Sequence, residues 1–269
     1  MPVLTTTHRR LGRNAAAPQA AAFEPIQPEA AGMPLFRAVR RSLLRAIEAG
    51  SVAPGHALPS ETALAGLFGV SVGTVRKAVD DLVTEHILVR RQGCGTFVAT
   101  HTSDRFLFQF FHVERSDGLR EAPVVELVSF ERTRLDDEAA NALALKPGEA
   151  ALLIENRLLL QGRAVVHDRL VLPAALFRGL TEKRFRERKS TVYHLYQTEF
   201  GISVVRAHER LRAVGADRSA ARVLGVAPGL PLLQVRRVAI ALGGRAVEWR
   251  VSSVVTAQHD YVNMLQRPS

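Results

Sequence analysis

The stretch from Leu58 to Val98 constrains this chain most, because its hydrophobic period and its breakers agree residue by residue. Ser60 follows Pro59 and can cap a helix that carries Leu64, Leu67 and Phe68 on one face. Gly69 ends that helix, since a left-handed C-terminal residue costs least at glycine. Ser71 then caps a second helix, with Val75, Ala78, Val79 and Leu82 on its apolar side. The opposite side shows Ser71, Gly73, Thr74, Arg76 and Lys77. Helix, short turn and helix with an exposed basic and hydroxyl-rich start is the pattern that meets a DNA major groove. From Ile87 to Val98, two apolar strand halves flank a tip holding Gly93 and Gly95, with Arg90 and Arg91 leading into it. That is a β-hairpin, and beside such a helix it makes a wing.

Upstream, Pro34 suits the first position of a helix in which Leu35, Val39, Leu43 and Ile47 recur every fourth residue. Arg37, Arg40, Arg41 and Arg45 fill its other faces, and Gly50 closes it. Residues 33–99 are therefore expected to form a winged helix-turn-helix domain. Residues 1–32 are expected to be a disordered basic arm: Ala, Pro and Gln dominate, with Arg9, Arg10 and Arg13 near the start. Polar residues 100–106 are expected to be a linker. Phe106, Phe108, Phe110, Phe111 and His112 open a second domain, 107–269.

That domain carries an internal duplication. Asp136 to Gly148 and Asp217 to Gly229 each read as an Asp-capped helix ending at Pro-Gly before an apolar strand. The copies lie 81 residues apart, from Gly148 to Gly229. Each strand then turns, at Gln161-Gly162-Arg163-Ala164-Val165 and at Gly243-Gly244-Arg245-Ala246-Val247. Two copies at this period predict two pseudo-symmetric halves of one antiparallel sheet, so the fold class is α+β. Between the copies, Thr191 to Phe200 reads as a helix capped by Gly201.

Leu58-Pro59-Ser60-Glu61, Phe68-Gly69-Val70-Ser71, Thr74-Val75-Arg76-Lys77-Ala78, Arg90-Arg91-Gln92-Gly93 and Gly95-Thr96-Phe97-Val98 together resemble the DNA-binding domain of GntR-family bacterial regulators. The match is collinear from about Pro34 to Val98. The resemblance implies DNA contact by Ser60, Glu61, Ser71, Gly73, Thr74, Arg76, Arg91, Gln92 and Gly93. Members often carry arginine directly after the serine that opens the recognition helix. This chain has Val72 there, so that contact does not carry over. On the residues alone, Arg76 has a second role open to it, as a partner for Asp80 four residues on.

The Pro-Gly repeat, Gly162-Arg163-Ala164-Val165, Thr191-Val192-Tyr193-His194-Leu195 and Gly244-Arg245-Ala246-Val247-Glu248 resemble the UTRA domain of the HutC branch, which has a chorismate-lyase-like fold. The resemblance implies a small-molecule effector between the halves of the sheet, held by Arg157, Thr191, Tyr193 and Glu248. His112, His167 and Asp168 are weaker candidates. Arg157 interrupts an apolar strand, so it needs either a ligand or a carboxylate such as Glu155. Tyr193 reads equally as core, and Glu248 as a solvated edge carboxylate.

A formal net charge of +10 favours a polyanionic partner. One cysteine, Cys94, excludes an intramolecular disulfide and fits a reducing cytoplasm. As a wing residue it reads as a redox sensor or as a small residue tolerated between glycines. No apolar run is long enough to span a bilayer, so no membrane partner is expected. The histidines lack metal-ligand spacing, and no metal or cofactor is expected. Taken with these observations, the two resemblances imply a repressor that is expected to bind double-stranded operator DNA as a homodimer and to be released by a small-molecule effector. A lyase is the alternative that the second domain's fold leaves open.

Overall fold

The computed structural model describes residues 22–26, 34–102 and 109–263. The chain divides into two compact units, Met1–Ala99 and Thr100–Ser269. Most of the expected basic arm and of the expected linker lies outside the described residues, as do Phe106 and Phe108.

In the first unit, α1 spans Leu35–Glu48, α2 Glu61–Phe68 and α3 Val72–Thr84. Ser60 Oγ accepts from Ala63 N and Ser71 Oγ from Thr74 N, each at 3.1 Å. Gly69 turns the chain between α2 and α3 at φ +64°, a left-handed conformation that glycine adopts without a Cβ clash. Val39, Leu43, Leu64, Val75, Ala78 and Leu82 are buried together. Leu67 is not among them: Leu64, Ala65 and Phe68 take the buried sector of α2, and Leu67 stays 38% exposed. Strands β1, Leu88–Arg91, and β2, Gly95–Val98, form the wing, closing at Arg91↔Gly95. The segment before α2 braces it, since Leu58 N donates to Thr96 O at 2.8 Å and Val98 N to His56 O at 2.9 Å.

One expectation fails here. Phe23, assigned to an unfolded arm, is 5% exposed and meets Phe68 edge-on at 6.1 Å. Ser42 Oγ donates to Glu24 O at 2.8 Å, and Arg45 pairs with the Glu24 carboxylate. A single aromatic anchor among alanines carries no period, so composition alone concealed it.

In the second unit, β3, Val113–Arg115, pairs with β10, His259–Tyr261. The remaining strands are β4 Val124–Arg134, β5 Ala150–Leu160, β6 Arg163–Pro173, β7 Val204–Gly215, β8 Pro231–Ala241 and β9 Ala246–Val254. They form one six-stranded antiparallel sheet in the order β4-β5-β6-β9-β8-β7. Helix α4, Asp137–Leu143, joins β4 to β5, and α7, Arg218–Leu224, joins β7 to β8. Asp136 and Asp217 cap them identically, each accepting from the amide three residues on at 2.8 Å. The duplication is thus a structural two-fold. Its centre is the β6–β9 pairing, where Arg169 faces Val251, separated by the same offset as Gln161 and Gly243.

Alternation along the strands gives the sheet two different faces. Ala151, Val171, Val238, Trp249 and Val251 pack with α4. Leu152, Ile154, Leu170, Leu172 and Ala239 pack instead with the insertion between the halves, which holds α5, Glu182–Arg186, and α6, Val192–Phe200.

Candidate functional site

In the first unit, the start of α3 and the wing tip are exposed and polar. Ser71 and Thr74 share a side-chain hydrogen bond at 2.9 Å at the start of α3, with Gly73 exposed between them. Arg76 does not pair with Asp80. Its Nε donates to Glu61 Oε2 at 2.9 Å, while Asp80 takes Arg90 Nη1 at 2.5 Å. Arg90 Nη2 also donates to Glu61 Oε1 at 3.0 Å. Glu61 therefore joins the recognition helix to the wing. Arg91, Gln92 and Gly93 are exposed at the wing tip, with the Arg91 guanidinium 4.6 Å from the centre of the Phe97 ring. Ser60 is engaged as a cap.

The second unit holds a cavity of about 280 Å³ on the α6 face of the sheet. Asn156 and Leu158 of β5, Asp168 of β6 and Arg250 of β9 form its floor. Arg186, Arg188, Lys189, Ser190 and Thr191 line it from the segment leading into α6. Asn156 Oδ1, Asp168 Oδ1 and Arg188 Nε are buried with no hydrogen-bond partner among the described residues. Unpaired buried polar atoms are costly, and three around one cavity indicate groups awaiting a ligand or solvent. Burial holds the Arg188 guanidinium below its ordinary pKa.

Beneath the floor lies a closed ionic network. Glu248 is fully buried and accepts from Tyr193 OH at 3.1 Å, Tyr196 OH at 2.7 Å and Arg250 Nε at 2.9 Å. Arg250 Nη1 continues to Asp168 Oδ2 at 3.1 Å. Burial, then the Glu248 charge, pushes both tyrosine hydroxyls above their ordinary pKa, so they remain donors. Burial opposes the Arg250 charge, but the Glu248 and Asp168 carboxylates outweigh it and hold the guanidinium protonated. Arg250 and Asp168 occupy the same place in the two copies, so the network spans the pseudo-two-fold.

The structure brings Asp168 and Thr191 to the cavity and sets Tyr193 and Glu248 behind it. Thr191 also caps α6, accepting from His194 N at 3.2 Å. Arg157 is elsewhere. It lies between Asn156 and Leu158 on β5, so its side chain takes the other face of the sheet. There it faces Glu126 of β4, and its Nε donates to that carboxylate at 2.9 Å. His167 lies on that face as well, 3.6 Å from Glu155, with burial holding its imidazole below the ordinary pKa. His112 lines a separate void of about 30 Å³ that shares Leu158, Asp168 and Arg250 with the cavity. Its imidazole is likewise depressed by burial. Asn156, Arg188, Lys189 and Arg250 escaped the sequence reading. The basic run ending at Lys189, two residues before the start of the helix that opens at Thr191, was the available signal for two of them.

No helix among the described residues is long and apolar enough to cross a membrane. Residues 35–98 match the bacterial regulatory proteins of the gntR family, and residues 119–260 match the UTRA domain. The chain is 25% identical over 237 residues to the mannosyl-D-glycerate transport/metabolism system repressor MngR of Escherichia coli, covering 88% of this chain and 98% of that one. It is 27% identical over 240 residues to the HTH-type transcriptional repressor NagR of Bacillus subtilis, covering 88% and 97%. The ligand-binding domain of a GntR-family regulator from Bordetella bronchiseptica superposes with a TM-score of 0.54 at 37% identity, covering 58% of this chain and 96% of that domain. Both matches belong to regulators, which removes the ground for a lyase. The chain belongs to the GntR family of bacterial transcriptional regulators, and its two units are a DNA-binding domain and a UTRA effector-binding domain.

Proposed function

We propose that this regulator represses transcription by binding an inverted-repeat operator as a homodimer in the cytoplasm, and that a small anionic, polyhydroxylated metabolite releases it. The cavity with its three unpaired polar atoms carries the effector reading. Arg188, Lys189 and the N-terminus of α6 favour an acidic group, because cations and free helix amides converge there. Asn156 Oδ1 and Asp168 Oδ1 are acceptors, so they call for ligand hydroxyls or amines. Relatives named as repressors support the direction of control. The dimer is supported by a winged helix reading one half-site, and the cytoplasm by a single exposed, free Cys94.

Release requires the ligand to favour one state over another. Helix α6 suits that task, since its N-terminus lines the cavity and its His194 and Gln197 hold His101. His101 N donates to Gln197 Oε1 at 3.0 Å, and His101 O lies 3.0 Å from His194 Nδ1. His101 comes two residues after Ala99, where the first unit ends. A coupling of about 1–3 kcal/mol would change operator affinity about 5- to 150-fold.

A thermal-shift screen of sugar phosphates, sugar acids and uncharged sugars on the full chain tests the ligand class. We expect stabilisation by acids bearing hydroxyls and loss of that response in Arg188→Ala and Asp168→Asn. Equal response to the uncharged sugars, or an unchanged response in both variants, refutes the assignment.

A further inference from the structure

We infer that Glu61 is a positioning residue for base reading, holding Arg76 of the recognition helix and Arg90 of the wing in one cluster, rather than a residue that itself touches DNA. The inference rests on the reading of α3 as the recognition helix. Glu61 opens α2 directly after its cap Ser60, where a carboxylate is favoured by the free helix amides. Its two oxygens are divided: Oε2 accepts from Arg76 Nε at 2.9 Å and Oε1 from Arg90 Nη2 at 3.0 Å. Arg90 is fixed on its other side by Asp80 of α3. The Glu61 side chain is 25% exposed, against 61% for Arg76 and 46% for Arg90.

This division matters for what Arg76 can do. Glu61 occupies the Nε position and leaves the two terminal nitrogens of Arg76, on a side chain that is mostly exposed, available to another acceptor. Two parallel donors on one edge are what guanine O6 and N7 accept. A guanidinium on a flexible stem must lose rotamer freedom to reach that geometry, and a bond formed beforehand removes part of the cost. A carboxylate on a surface that meets phosphates weakens attraction to every DNA sequence alike. Its presence there is explained by selectivity: it withdraws two arginines from indiscriminate phosphate contact and aims one of them.

The test is selection of binding sites from a random-sequence duplex pool by the full chain, by Arg76→Ala, Glu61→Ala and Glu61→Gln. It is paired with salt titrations on the selected site and on an unrelated duplex. Glu61→Ala is expected to relax preference by about 10-fold at the same base pair that Arg76→Ala relaxes, and not at another. Affinity for the unrelated duplex should rise. Its salt slope should steepen by about 1, because a released arginine neutralises one more phosphate. Glu61→Gln keeps one acceptor, so it should fall between wild type and Glu61→Ala. Preference retained at that base pair in both Glu61 variants overturns the inference. So does preference lost at a different base pair, which would mean that Glu61 reads a base directly, as a carboxylate can at cytosine N4. A loss of affinity for both duplexes in step with a lowered melting temperature, shared by Glu61→Gln, would make its role structural and also overturn it. If Arg76→Ala keeps full selectivity, the reading of α3 fails instead.

Discussion

Arg157 and Arg188 show how little a residue's type says about its task. Arg157 interrupts an apolar strand, and Arg188 belongs to a basic run that ends at Lys189. Arg157 faces Glu126 across two strands, with both side chains 43% exposed. An ion pair that open to water contributes about 0–1 kcal/mol. Arg188 instead has a buried, unpaired Nε, and its Nη1 donates to Phe185 O at 2.6 Å. Arg157→Ala is therefore expected to shift the urea midpoint little and to leave the effector response intact. Arg188→Ala should abolish that response. Loss of response in Arg157→Ala would mean that the outer face of the sheet contributes to the site.

At the level of elements, α6 is the piece that the duplication does not explain. It belongs to neither copy, yet it closes the cavity, supplies Tyr193 and Tyr196 to Glu248, and holds His101 through Gln197. Gln197→Ala removes the acceptor for His101 N, one of the two hydrogen bonds by which α6 holds His101, without touching the cavity wall. Such a variant is expected to bind an anion identified in the screen within about twofold of wild type. It should lose most of the ligand-driven release of labelled operator DNA, a coupling of about 1–3 kcal/mol. Normal release by Gln197→Ala would show that the signal leaves α6 by another route.

Across the whole molecule, the buried imidazoles make stability depend on acidity. Burial lowers the pKa of His112 and His167 below 6.5 in the folded chain. Each is thus protonated more readily when unfolded. Their contribution is complete above pH 6.5 and declines as pH falls below it, by at most about 1.4 kcal/mol per pH unit for each proton taken up. Melting temperatures measured from pH 7.5 to 5.5 should fall, and His167→Gln should flatten part of the slope. An identical pH profile in His167→Gln would place the titration elsewhere.

What the sequence determined by itself is whatever depends on neighbours in the chain. The caps at Ser60, Ser71, Asp136 and Asp217 were legible because a cap acts on an amide three residues away. Gly69 and Gly201 were legible as helix ends because only backbone conformation is at stake. The duplicated Pro-Gly segments predicted the two-fold sheet because one pattern, used twice, folds twice. The tertiary structure alone decided the partners. Glu126 rather than Glu155 takes Arg157, because strand register sets the pairing across 31 residues. Glu61 rather than Asp80 takes Arg76, because α2 and α3 cross there. Glu248, expected to contact an effector or else to be a solvated edge carboxylate, is buried because β9 lies inside the sheet and α6 covers it. Long-range electrostatics is set by which side chains the fold brings within about 3 Å, and no local period encodes that distance.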